Sequence, residues 1–106
     1  MAKFLFQGTY TQTGLPGLLK EGGSSRRDAI DKAIQSVGGT LEAFYYVFGD
    51  YDAIGIADLP DNESAITLSL IINNSGAAKV TTTVLATPEE VDAAVKKSPT
   101  YRPPGQ

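Results

Sequence analysis

FYYVFGDYDAIGIAD, residues 44 to 58, is the stretch whose reading decides the fold. Two runs rich in aromatic and β-branched residues flank Gly49-Asp50, a pattern that predicts a β-hairpin with a two-residue loop. Glycine at the first central position suits a type II′ turn, which would give Gly49 a positive φ. Counting outward sets the expected register: Phe48 faces Tyr51, Val47 faces Asp52, Tyr46 faces Ala53, Tyr45 faces Ile54, Phe44 faces Gly55, Ala43 faces Ile56 and Glu42 faces Ala57.

Side chains alternate across a strand, so these pairs sort onto two faces. One face collects Ala43, Tyr45, Val47, Ile54 and Ile56 and reads as core. The other sets Glu42, Phe44, Tyr46 and Phe48 beside Tyr51, Ala53, Gly55 and Ala57. Large rings on one strand would then border small residues on the next, forming a groove.

A chain of 106 residues is one domain with room for a single core. Cysteine is absent, which excludes disulfides, thiolate nucleophiles and cysteine-ligated metals. Histidine is absent too, removing the commonest general base and transition-metal ligand. A net charge of −3 with interspersed charges gives no basic footprint and argues against nucleic acid as a partner. No apolar run approaches the roughly 20 residues of a spanning helix, and the residues before Gln7 are too few for a signal peptide. The expectation is a cytoplasmic protein with no membrane partner, no metal and no cofactor.

Outward from the hairpin, Lys3 to Thr11 reads as a half-buried strand with Phe4 and Phe6 toward the core. Gln12 to Ser24 carries Gly14, Pro16, Gly17, Gly22 and Gly23 and reads as a loop, with Leu15, Leu18 and Leu19 folding over the core in one short turn. A helix is expected from Ser25, with Asp28 completing a capping-box-like start. Ala29, Ile30, Ala33, Ile34 and Val37 recur on one face of it, and Gly38-Gly39 ends it. After the hairpin, Asp61 caps a second helix whose Ala65, Ile66, Leu68, Leu70, Ile71 and Ile72 predict a well-covered element. Lys79 to Ala86 supplies a fourth strand. Thr87, Pro88 and Glu90 open a last, short helix. Residues 1–97 thus form one domain, and 98–106, with three prolines, reads as an extended tail.

The order β-α-β-β-α-β is the split βαβ pattern of ferredoxin-like domains, here with a short C-terminal helix. Right-handed crossovers leave an α+β layout: an antiparallel sheet in order 4-1-3-2 with both main helices on one face. The open face is expected to carry Leu5, Gln7, Thr9, Phe44, Tyr46, Phe48, Ala53, Gly55, Thr81, Thr83 and Leu85. So large an apolar patch predicts pairing of two copies, as a homodimer or higher homo-oligomer, with a small-molecule ligand near the seam.

The run Gly49-Tyr51-Asp52 within YYVFGDYDAIGI resembles the GYD domain family. The likeness extends over Tyr10-Thr11, Gly14, Lys20, Arg27, KVTTT at residues 79–83 and TPEE at residues 87–90. It implies a ferredoxin-like dimeric α/β barrel. Similar folds host cofactor-free monooxygenases, lactone isomerases, heme-degrading enzymes and ligand sensors, several relying on histidines that this chain lacks. Fold by itself does not select among these.

The layout gathers polar groups at one end of the sheet: Thr9, Tyr10 and Thr11, then Ser24 to Arg27, Lys20, the hairpin loop and Lys79. Three readings follow. Arg26, Arg27 and Lys20 at a helix start could hold an anion. Asp52 could serve as general base, with Tyr10, Tyr46 or Tyr51 orienting a substrate. In the plain structural reading Asp50 and Asp52 pair with nearby cations or loop amides, and Gly55 is covered by the Phe44 ring. The candidate catalytic residues are therefore Asp52, Tyr46 and Tyr10. The candidate ligand-binding residues are Thr9, Lys20, Arg27, Phe44, Tyr46, Tyr51, Gly55 and Thr81. The expected function is small-molecule binding by an oligomer, against two alternatives: a cofactor-independent enzyme acting on an aromatic or carbonyl substrate, and a purely structural oligomerisation module.

Overall fold

A computed structural model of the chain describes residues 2–106. The elements run β1 (Ala2–Tyr10), α1 (Leu15–Glu21), α2 (Gly23–Ser36), β2 (Thr40–Tyr46), β3 (Ala53–Leu59), α3 (Asn62–Asn74), β4 (Ala78–Leu85) and α4 (Pro88–Val95). The four strands form one antiparallel sheet in the order β2-β3-β1-β4, which read from the other edge is the expected 4-1-3-2. It is an α+β, ferredoxin-like arrangement. Ile34 of α2 and Ala65 and Leu68 of α3 share one core cluster with Phe4, Ala57 and Leu59, so both main helices cover the same sheet face.

The hairpin register holds from Tyr46↔Ala53 to Ala43↔Ile56. It then departs from the expected pairing. The ladder shifts between Leu41 and Ala43, so Leu41, not Glu42, faces Ala57. Such a bulge puts two residues of one strand against one of the other. Its result is that Leu41 packs on the core while the Glu42 carboxylate meets Lys3 Nζ at 2.6 Å, with Asp58 on the same ammonium at 3.0 Å.

The loop also differs. The strands stop at Tyr46 and resume at Ala53, leaving residues 47–52 outside the ladder, tied by a Val47 N–H bond to the Asp52 carbonyl. Gly49 is not among the glycines of positive φ, so the type II′ turn is not formed.

The larger correction concerns the faces. Phe44, Tyr46, Ala53, Gly55 and Ala57 lie on the helix-covered side, not the open one. The β1–β3 register pairs Phe4 with Ala57, Phe6 with Gly55 and Gly8 with Ala53, and opposite residues share a face. Ala53 and Ala57 are buried with Phe4. The physical reason is volume: two helices and the rings of Phe4, Phe6 and Phe44 need depth, which small residues on β3 supply. Ile54 and Ile56 therefore join Leu5 and the exposed Tyr45 on the open face. Gln7, Thr9, Thr81, Thr83 and Leu85 share that face, as expected.

Where a loop was expected, residues 15–21 form a helix of their own with Pro16 in its first turn. The next helix starts at Gly23 after Gly22 (φ 83°), so the box expected from Ser25 and Asp28 is not its start. Its inner face is the expected one, with Ile34 buried and Ile30, Ala33 and Val37 packed on the core, and Gly38 (φ 84°) follows its end. The α3 helix is capped by Asp61, whose carboxylate accepts the Ser64 N–H at 2.8 Å. It is not well covered: Ile66, Leu70 and Ile71 are exposed. The α4 helix has the full capping box between Thr87 and Glu90 but buries no residue. Residues 98–106 are exposed and outside helix and strand. Among the described residues no helix is long and apolar enough to cross a membrane.

Candidate functional site

A cavity of about 280 Å³ lies between the covered face of the sheet and helices α2 and α3. Its floor is Phe6 and Gly8 of β1, Ala53 and Gly55 of β3, and Phe44 and Leu41 of β2. Ala29, Ile30, Ala33 and Ile34 wall it on the α2 side and Leu68, Ile71 and Ile72 on the α3 side. Small residues leave the space. A Cβ at Gly8 would find only the Lys79 carbonyl oxygen, at 3.9 Å. At Gly55 a Cβ would be in van der Waals contact with the Phe44 ring, 3.4 Å away, which covers this glycine. That ring meets Tyr46 edge-to-face, with centroids 5.2 Å apart.

The lining is polar only at Tyr10, Arg26 and Ser75, and Arg26 is its single charged side chain. The guanidinium lies 3.6 Å from Glu21 Oε2, and both side chains are partly exposed. Beside it the Tyr46 hydroxyl donates to the Gly23 carbonyl at 3.0 Å. Burial pushes the Tyr46 phenol up to about 12; the neighbouring Tyr10 adds to the shift, and Arg26 and Arg27 oppose it. At ordinary pH this hydroxyl is therefore a neutral donor and not a base.

The candidates read from the sequence separate into groups. Tyr10, Phe44 and Gly55 line the cavity. Tyr46 and Arg27 border a second, shallower depression with Gly23 and Ser24, and Arg27 bonds Asp28 at 3.2 Å on the surface. Asp52 is engaged by backbone: its Oδ2 accepts the Tyr10 N–H at 2.9 Å while its own N–H donates to the Gly8 carbonyl. That is the plain structural role. Thr9 and Thr81 stand on the open face opposite Lys79 and Gln7. Lys20 is exposed on α1 and Tyr51 half-buried in the 47–52 loop, and neither lines the cavity. Among the described residues no three His, Cys, Asp or Glu side chains converge as metal ligands would.

Arg26, named with Arg27 and Lys20 as a possible anion site but absent from the final ligand-binding set, is the one of the three that lines the cavity. Its signal was available, since Arg26 precedes Ile30 by four and Ile34 by eight and so shares the inward face of α2. A charge there reads as the solvated start of the helix until the neighbouring wall is known. The α3 lining could not have been singled out, because that helix is apolar on more than one side.

The family model described as GYD domain matches residues 4–95, from β1 to the end of α4. No curated protein matches the chain.

Proposed function

This chain belongs to the GYD domain family, and we propose that it binds a small, mainly apolar organic molecule in the cavity between the sheet and helices α2 and α3. The observation carrying this is an apolar space of about 280 Å³, roughly nine water volumes, with its few polar groups at Tyr10, Arg26 and Ser75. The space opens to solvent beside the exposed Ala29 and Ile71 while its inner end is closed by the buried Ile34 and Leu68, so a small molecule can enter it without unfolding the domain. Binding without turnover is favoured by the employment of Asp52: the carboxylate best placed in the sequence to act as base is held by the Tyr10 N–H and stands outside the lining. The test is a titration of the protein with naphthol, followed by methyl NMR. Shifts are expected at Ala29, Ala33, Ile34 and Leu68 and should vanish in Gly8→Val, whose side chain fills the floor. Shifts at Leu5, Ile56 and Leu85 instead would move the site to the open face and end this reading.

Pairing of two copies through the open face is a separate proposal, supported by the row Leu5, Tyr45, Ile54, Ile56 and Leu85, which no helix covers. In light scattering Ile56→Glu should release monomer from a wild-type dimer. A wild type that scatters as a monomer would remove the idea.

A further inference from the structure

We propose that the guest is a monoanion, a carboxylic acid with a flat or branched apolar body, whose carboxylate displaces Glu21 from Arg26. This rests on the binding role proposed for the cavity and goes beyond it in naming the chemistry of the guest.

The argument starts from the distribution of polarity. The inner part of the space is bounded by Phe6, Ile34 and Leu68, the last two nearly fully buried, and offers no hydrogen bond. A polar group sent there would lose its water without compensation. The body of the guest is therefore apolar. Charge can be accommodated only where Arg26 stands, and Arg26 brings a planar fork of donors suited to a carboxylate.

The present partner of Arg26 is weak. Glu21 Oε2 is 3.6 Å from Nη1, beyond good hydrogen-bond length, and its side chain is about half exposed, at 45 %. A guest carboxylate arriving from the cavity side needs to break little to take that place. The positive sign is local to the cavity mouth: along the chain Lys20, Arg27 and Lys32 are balanced by Glu21, Asp28 and Asp31, and Arg27 is already paired with Asp28, but Arg26 is the one charge in the lining and the first turn of α2 has neither an acidic residue nor a side-chain cap. A cationic guest would meet Arg26 unfavourably, and a neutral one would leave the guanidinium half engaged.

Naphthoate and its neutral amide, nearly equal in shape, test this by calorimetry on the full chain. Wild type is expected to bind naphthoate at least about tenfold more tightly than the amide, the value of one charge-assisted hydrogen bond. Arg26→Gln should erase that preference while keeping the amide affinity, and Glu21→Gln should tighten naphthoate alone. Gly8→Val should abolish binding of both. Equal affinities of acid and amide for wild type would overturn the carboxylate assignment and leave the cavity reading intact. Binding of neither would overturn both.

Discussion

The Tyr46 hydroxyl donates to the Gly23 carbonyl oxygen across 3.0 Å, joining the end of β2 to the first residue of α2 beside Arg26. Tyr46→Phe removes this bond without altering the ring. It is expected to cost about 1 kcal/mol, read as a lower denaturation midpoint at unchanged slope. Gly23→Ala puts a Cβ 3.0 Å from Tyr46 Cε2, so the ring must shift by a few tenths of an ångström, and the ring proton signals of Tyr46 and of Phe44 against it should move in NMR. If Gly23→Ala leaves those ring signals unmoved, the close approach of helix and ring is wrong.

The same phenol gives the molecule a signature in alkali. Its folded value, pushed up to about 12 from the ordinary 10.0, means that the native state keeps a proton that the unfolded chain gives up first. Its contribution is thus fully present below pH 10 and is lost as pH rises toward 12. An ultraviolet titration of the five tyrosines should show one late component that Tyr46→Phe lacks. A curve of the same shape in both proteins would contradict the burial of this group.

Two glycines reverse their expected importance. Gly49, read from the sequence as the turn glycine, has no positive φ, and a Cβ there meets nothing within 4 Å. Gly49→Ala is expected within about 0.5 kcal/mol of wild type. Gly14 looked like one of several loop glycines, yet a Cβ on it would overlap the Ala77 carbonyl, where the Thr11 N–H is also bound at 3.1 Å. Gly14→Ala must separate the start of α1 from the segment before β4 and should cost about 2 kcal/mol or more. Thermal unfolding of the two variants decides it, and equal melting temperatures would refute the contrast.

What was legible in the sequence follows from the range of the interaction that fixes it. The order of the four strands and of the helices other than α1, the Asp61 and Thr87 caps and the register around Phe44 and Gly55 depend on neighbours in the chain or across one hairpin, and they are as read. Which side of the hairpin faces the helices is not a local property. It is set by β1, where Phe4 and Phe6 stand opposite Ala57 and Gly55, and carrying the core assignment of Phe4 across to β3 would have given the right face. The bulge at Glu42 is hidden for the same reason, since its gain lies in Leu41 reaching the core and Glu42 reaching Lys3 on another strand. The site inherited both outcomes. Phe44 and Gly55 were chosen for a groove, and they do line one, but on the opposite side of the sheet from the side expected.

Asp52 offers the sharpest separation of a structural carboxylate from a reactive one. Its Oδ2 holds the Tyr10 N–H at the end of β1, and its backbone bonds the Gly8 carbonyl and the Val47 N–H, so this one residue joins β1 to the 47–52 loop. An asparagine keeps an acceptor oxygen in the same place, whereas alanine leaves the Tyr10 N–H without its partner. Asp52→Ala is accordingly expected to cost about 1–3 kcal/mol and Asp52→Asn less than about 1 kcal/mol. Because Asp52 is absent from the cavity lining, naphthoate affinity should be the same in Asp52→Asn as in wild type. Were Asp52→Asn as stable as wild type but unable to bind naphthoate, the carboxylate would be acting on the guest rather than on Tyr10, and a proton-transfer role for Asp52 would replace the structural one argued here.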